Sequence, residues 1–267
     1  MPAGTPALPG IGGSRGSRWE MSITSEEELR GLREAGRIVG RALKELAGRV
    51  KPGVTTGQID EMAAEILRRN GAQSAPRLVY GFPGAICISL NDEIVHGVPG
   101  ARVICEGDLV KLDLTIEKDG FMADAAITVA VPPVSDDARR LVRCAERAFR
   151  KAIAVAKAGR RVCDIGRAVE DEVKRGGFSV VRELCGHGIG RTIHEPPTVP
   201  NFFDPHADQR LTEGLVITIE PLIAVGSGDE FTARDGWTVK TRDRSLAAHF
   251  EHTLVITRDE PILLTAA

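Results

Sequence analysis

A pattern that recurs at an offset of 106 residues constrains this chain more than any other feature. Lys51 matches Lys157, Gly53 matches Gly159, Ile59 matches Ile165 and Gly71 matches Gly177. Leu109-Val110 matches Leu215-Val216, and one slip later Asp113 falls opposite Glu220. These identities coincide with a repeated order of elements, which marks a duplication. In the first half Ser25-x-x-Glu28 reads as a capping box, followed by apolar residues at helical spacing to Leu46 and Val50. Thr55-x-x-Gln58 opens a second helix that stops at Asn70-Gly71. Strand-like stretches follow at Leu78 to Tyr80, at Ala85 to Leu90 and, as a hairpin, from Leu109 to Val131. In the second half Ser135-Asp136-Asp137 caps a long helix to Lys157, and Asp164 caps another that ends at Gly176-Gly177. Strands are expected around Val180 to Leu184, Leu215 to Val225 and Phe250 to Thr257. The pattern predicts an α+β fold of two pseudo-symmetric helix-helix-strand halves, about 23–133 and 134–260, sharing one sheet region. The active site is expected where the halves meet, because acidic residues from both converge there.

Residues 1–22 are rich in Gly, Pro and Ser and lack the continuous apolar core of a signal peptide. They read as a disordered tail on a cytoplasmic protein, with 23–267 as a single catalytic domain and Met21 as an alternative start. A net charge of −2 gives no general attraction to DNA or to an anionic membrane, and no apolar run reaches the length of a membrane span. The five cysteines are odd in number and contain no C-x-x-C, so reduced, mostly buried thiols are expected rather than disulfides or a structural zinc.

Four carboxylates lie in strand-like sequence. Alternation along Leu109 to Glu117 puts Asp113 and Thr115 on one face. Asp119-Gly120 signals a two-residue hairpin loop, which sets Asp124 opposite Thr115 and diagonal to Asp113, with Cβ atoms about 7 Å apart or less. A cation between the two aspartates would relieve their repulsion; a solvated outer face bearing Lys111 and Glu117 is the plainer alternative. Glu220 and Glu251 each sit in an almost wholly apolar strand, where an unpaired carboxylate is costly. Gly186-His187-Gly188-Ile189-Gly190 runs on to His194-Glu195-Pro196-Pro197, and its glycines and prolines favour loop or short strand over helix. Four carboxylates and His187 suit two divalent ions, whose +4 balances the carboxylates, in a hydrolytic centre free of thiolates. His194 and His96 are then left for substrate and proton handling.

With these residues in place the sequence resembles methionine aminopeptidase, of the pita-bread metallopeptidases of family M24. The matching text includes Phe82-Pro83, Cys87-Ile88-Ser89-Leu90-Asn91, His96-Gly97-Val98-Pro99, the Asp113 and Asp124 pair, the glycine-rich histidine stretch, Thr218-Ile219-Glu220-Pro221 and Phe250-Glu251-His252-Thr253. The resemblance runs from about Ser25 to Thr257. It implies a pita-bread fold with a curved antiparallel sheet, and two divalent metal ions (Co, Mn, Fe, Zn or Ni). Asp113, Asp124, His187, Glu220 and Glu251 would hold them, with Asp124 and Glu251 bridging and Thr115 helping to hold a water. A bridging hydroxide would attack the scissile carbonyl while Glu220 passes a proton, His194 contacts the carbonyl oxygen and His96 the amide nitrogen. Phe82, Cys87, Ile193 and Trp237 correspond to the side-chain pocket, with Val79 and Tyr80 nearby.

The sequence departs from the family pattern at three places. Lys111 stands where an uncharged residue is common, Ala125-Ala126 where a Thr or Ser is usual, and Val79 where an aromatic often forms the rim. Glu220 follows His194 by 26 residues, which implies the bacterial-style type I enzyme. The implied activity is removal of the initiator methionine from nascent chains whose second residue is small, by a monomer in transient contact with the ribosome. The rivals are an aminopeptidase P or prolidase type enzyme, which usually carries a large extra domain, and a non-catalytic peptide-binding relative, which would be expected to have lost ligands.

Overall fold

The turns marked by the repeat have the same backbone in both halves. Gly53 and Gly159 adopt φ of 89° and 87°, and Gly71 and Gly177 adopt 60° and 80°, a region in which a Cβ is strained. Gly53 N–H donates to Ile104 O at 2.9 Å, and Gly159 N–H donates to Leu211 O at 2.8 Å. Thr55 bridges Val103 as Arg161 bridges Arg210. The partner segments are offset by one residue more than the turns.

The computed structural model describes residues 23–266; the tail expected over 1–22 lies outside the described residues. In chain order the first half holds α1 (Glu26–Ala47), α2 (Thr56–Arg69), β1 (Gln73–Ser74), α3 (Ala75–Tyr80), β2 (Cys87–Leu90), β3 (Glu93–Val95), β4 (Leu109–Lys118) and β5 (Phe121–Ala130). Then come α4 (Asp136–Val155), α5 (Val162–Gly176), β6 (Ser179–Val180), β7 (Cys185–Gly188), β8 (Glu195–Pro200), β9 (Val216–Ile219) and β10 (Leu222–Ala224). Strands β11 (Glu230–Thr232), β12 (Val239–Thr241), β13 (Ala247–His249), β14 (Glu251–Val255) and β15 (Ile262–Leu263) follow.

Local chemistry explains both the agreements and the corrections. At α2 the Thr55–Gln58 capping box is complete. At α1 Ser25 Oγ accepts from Glu28 N, but the Glu28 carboxylate bonds Thr24 instead of Ser25, so that box is displaced by one residue. The cap position of α5 is Arg161, with Asp164 three residues inside; the free N–H groups of Val162 and Cys163 are taken by Gln209 O and Ala207 O. Leu78 to Tyr80 is helix, not strand. Pro76 sits in the first turn of α3 and left-handed Gly81 ends it, while Leu78, Val79 and Tyr80 are exposed and gain no strand burial. The strand expected over Val180 to Leu184 is confined to Ser179–Val180.

The main sheet has nine strands in the order β1-β4-β5-β14-β9-β7-β8, with β2 on β4 and β15 on β14. The first-half helices α1 and α2 pack on Val110, Leu112, Leu114 and Ile116 of β4. The second-half helices α4 and α5 pack on Ile217 and Ile219 of β9 and Leu254 of β14. Each such fully buried side chain contributes roughly 1.5–3 kcal/mol. Period-2 alternation then turns Asp113, Asp124, Thr218, Glu220, Glu251 and Thr253 away from the helices. Among the described residues no helix is long and apolar enough to cross a membrane.

Candidate metal centre

The Asp119-Gly120 turn has φ of 51° and 82°, the twist a two-residue hairpin needs. Lys118 pairs Phe121, Thr115 pairs Asp124 and Asp113 pairs Ala126, the register read from the sequence. Thr115 Oγ1 donates to Asp124 Oδ2 at 2.7 Å. The solvated-face alternative fails at Lys111, which is 1% exposed. Its ammonium donates to Asn91 O at 2.9 Å and Ala247 O at 3.3 Å, and burial pushes its pKa down to about 7. The aspartates therefore lie on an interior face.

The second half reaches them because β14 lies between β5 and β9. Pairing of Glu251 with Ala126 sets that glutamate beside Asp124. Glu220 follows β9, with its Oε1 3.5 Å from Thr218 Oγ1, which also accepts the His187 N–H at 3.2 Å. His187 Nδ1 lies 2.8 Å from Gly188 O, so Nδ1 carries the proton and Nε2 turns a lone pair toward Glu220 Oε1, 3.8 Å away. Burial and then His194 hold His187 neutral, with a pKa pushed down to about 3. The flanking glycines serve close packing: a Cβ on Gly186 would meet Thr218 O at 2.6 Å, and one on Gly188 would meet Pro196 O at 2.2 Å.

Burial raises all four carboxylates, and their mutual repulsion adds to it at Asp113, Glu220 and Glu251. Asp124 stands at about 6, while Asp113, Glu220 and Glu251 lie well above the ordinary range. Asp124 Oδ1 and Glu251 Oε1 are buried without a hydrogen-bond partner among the described residues. Orphaned acceptors in a crowd of like charges are what a cation would satisfy. Ligand atoms of Asp124, His187 and Glu251 lie within 4.8 Å of one another, as do those of Glu220, His249 and Glu251. Oxygen-rich donors with imidazole fit divalent ions. Cys87 pairs Asp113 across β2 and β4, but burial and the nearby carboxylates push its thiol well up, so it offers no thiolate.

His194 and His96 stand next to this cluster. The His194 ring lies 4.3 Å from that of His187, and its Nδ1 is 2.6 Å from Tyr80 Oη. His96, at φ 57°, is exposed; the protein around it and then His194 lower its pKa to about 4. Phe82 is buried edge-on against the Trp237 ring at 5.3 Å. Ile193 packs in a small cluster with Leu32, Ala75, Met122 and Ile189. Thr253 and His249 carried no sequence signal taken as functional, although His249 lies two residues from Glu251, the spacing that shares a strand face.

The profile of Metallopeptidase family M24 matches residues 30–258. Methionine aminopeptidase 2 of Bacillus subtilis is 43% identical over 92% of this chain and 99% of its own length. The crystal structure of methionine aminopeptidase from Thermotoga maritima superimposes with a TM-score of 0.90 at 34% identity, over 92% of this chain and 100% of that one. Prolidase from Pyrococcus furiosus, at 22% identity and a TM-score of 0.74 over 66% of its length, shares the fold. The chain belongs to metallopeptidase family M24, in its methionine aminopeptidase branch. Family membership implies divalent metal ions, and the residues present fit them.

Proposed function

We propose that this enzyme removes the initiator methionine from nascent proteins whose second residue is small. It would hold two divalent ions on Asp113, Asp124, His187, Glu220 and Glu251. The observation that carries the reading is the convergence of three buried carboxylates, half-buried Asp113 and one lone-pair-bearing imidazole from both halves, with two acceptor atoms left over. Bound ions would supply a nucleophile from water at neutral pH and draw charge from the scissile carbonyl.

The chain's own side chains do the rest. Tyr80, whose hydroxyl is kept protonated by partial desolvation, donates to His194 Nδ1 and leaves Nε2–H to meet the carbonyl oxygen as charge develops there. His96 meets the amide nitrogen of the bond to be cut. Glu220, between His187 and the interior, passes the proton to the leaving amine. Phe82, Trp237 and Cys87 offer soft, polarizable contacts to a thioether, and Ile193 backs the histidine wall. The protein is taken to work as a cytoplasmic monomer in transient contact with the ribosome. Metal-reconstituted protein should cleave Met-Ala-Ser and leave Gly-Pro intact, with two ions per chain by elemental analysis. Preference for Gly-Pro would assign it to the prolidase type instead, and peptide binding without cleavage to a non-catalytic relative.

A further inference from the structure

His249 is 1% exposed, and neither ring nitrogen has a hydrogen-bond partner among the described residues. An imidazole so placed is costly unless the site uses it. Its Nε2 lies 3.4 Å from Glu251 Oε2 and 3.7 Å from Glu220 Oε2, just beyond hydrogen-bond length. Glu220 is thus bracketed by two imidazoles, with Oε1 toward His187 and Oε2 toward His249. Glu251 likewise turns Oε2 to His249 and keeps Oε1 free. The backbone that carries the ring is held from behind. The main-chain N–H of His249 donates to Thr128 Oγ1 at 3.0 Å, and that hydroxyl donates back to His249 O at 2.8 Å. Two residues earlier, Ala247 O accepts from the Lys111 ammonium.

The geometry points to His249 as a positioning residue of the metal centre, whose Nε2–H fixes the outer oxygens of Glu220 and Glu251 so that their inner oxygens face the ions. This rests on the five-residue ligand set proposed above and places a sixth group behind it. Each carboxylate oxygen has a second lone pair, so accepting from His249 does not exclude ligation. Partners behind metal-binding side chains typically alter affinity by about 10–100-fold.

The test uses the full chain with Co²⁺ as probe. His249→Leu should weaken the tighter Co²⁺ site about 10–100-fold and shift the visible Co²⁺ bands. It should lower kcat on Met-Ala-Ser with KM little changed, while the metal-free melting temperature holds or rises. His249→Gln, which returns an N–H donor, should restore most of the affinity and the spectrum. In wild-type protein labelled with ¹⁵N-histidine and loaded with Zn²⁺, the His249 proton should reside on Nε2. Wild-type Co²⁺ affinity and bands in His249→Leu would overturn the inference, as would a glutamine variant as weak as the leucine one. A proton on Nδ1 would do the same without requiring any variant to fold. If wild-type protein takes up no Co²⁺ at all, the ligand set itself is wrong, and this inference goes with it.

Discussion

Thr253 and Asp124 grip each other across the junction of the two halves. The Asp124 N–H donates to Thr253 Oγ1 at 2.9 Å, and the same hydroxyl donates to Asp124 O at 2.7 Å. Thr253 is fully buried, so its side chain does there what a ladder of backbone bonds does elsewhere in the sheet. Thr253→Val keeps the shape and strands two backbone groups, at about 1–3 kcal/mol each. Urea unfolding of the metal-free chain should show a loss of about 2 kcal/mol or more, with Thr253→Ser much closer to wild type. An unchanged midpoint in the valine variant would refute the clamp.

Metal removal should expose the crowded carboxylates to pH. In the cation-free fold Asp124 stands at about 6 against an ordinary 3.8, and the other three are raised further. The folded chain then binds protons that the unfolded chain releases, so its stability falls as pH rises from about 4 through 6 and beyond. Chelated protein should melt lower at pH 7 than at pH 5. Adding Co²⁺ back at pH 7 should raise the melting temperature in proportion to the logarithm of its concentration. Equal melting of the chelated protein at both pH values would count against a shared carboxylate cluster.

Lys111 has the opposite sign. Burial lowers its pKa to about 7 from 10.5, so the unfolded chain binds the extra proton and the penalty is full below pH 7. Lys111→Met should therefore equal or exceed wild type in urea stability at pH 7. The difference should shrink by pH 9.5, when the native lysine is already neutral. A variant clearly weaker than wild type at pH 7 would mean the two carbonyl contacts outweigh the buried charge.

His194 is exposed, whereas Asp113 lies against Asp124 in the carboxylate cluster, so their loss should differ in kind. His194→Ala should fold normally, bind Co²⁺ and lose on the order of 10²–10⁴ in kcat. Asp113→Ala should lose turnover through weakened ion binding, visible by calorimetry. Retained turnover in either variant contradicts the assigned role.

The sequence made the hairpin and its register legible because a two-residue turn and period-2 alternation leave one solution for Asp113, Thr115 and Asp124. The glycine pairs showed the duplication because each adopts a left-handed turn that few other residues tolerate. Leu78 to Tyr80 misled, because an apolar triplet after a break reads alike for a strand and a short helix, and only tertiary exposure separates them. Lys111 looked like a marker of solvent, since its two acceptors are backbone carbonyls with no side-chain signature. His249 went unused for a related reason: its value lies in distances to Glu220 and Glu251 that only the folded sheet creates.

The position of β14 bears on how the molecule comes into being. The strand that joins β5 to β9 follows every other strand of the main sheet except β15 in chain order, and it carries Glu251 into the middle of the sheet. Until β14 is in place, the two halves have no common seam and the carboxylate cluster lacks Glu251. A slow, late closure is expected where so many contacts span distant sequence. The carboxylate cluster is therefore completed in one step, when β14 inserts between β5 and β9.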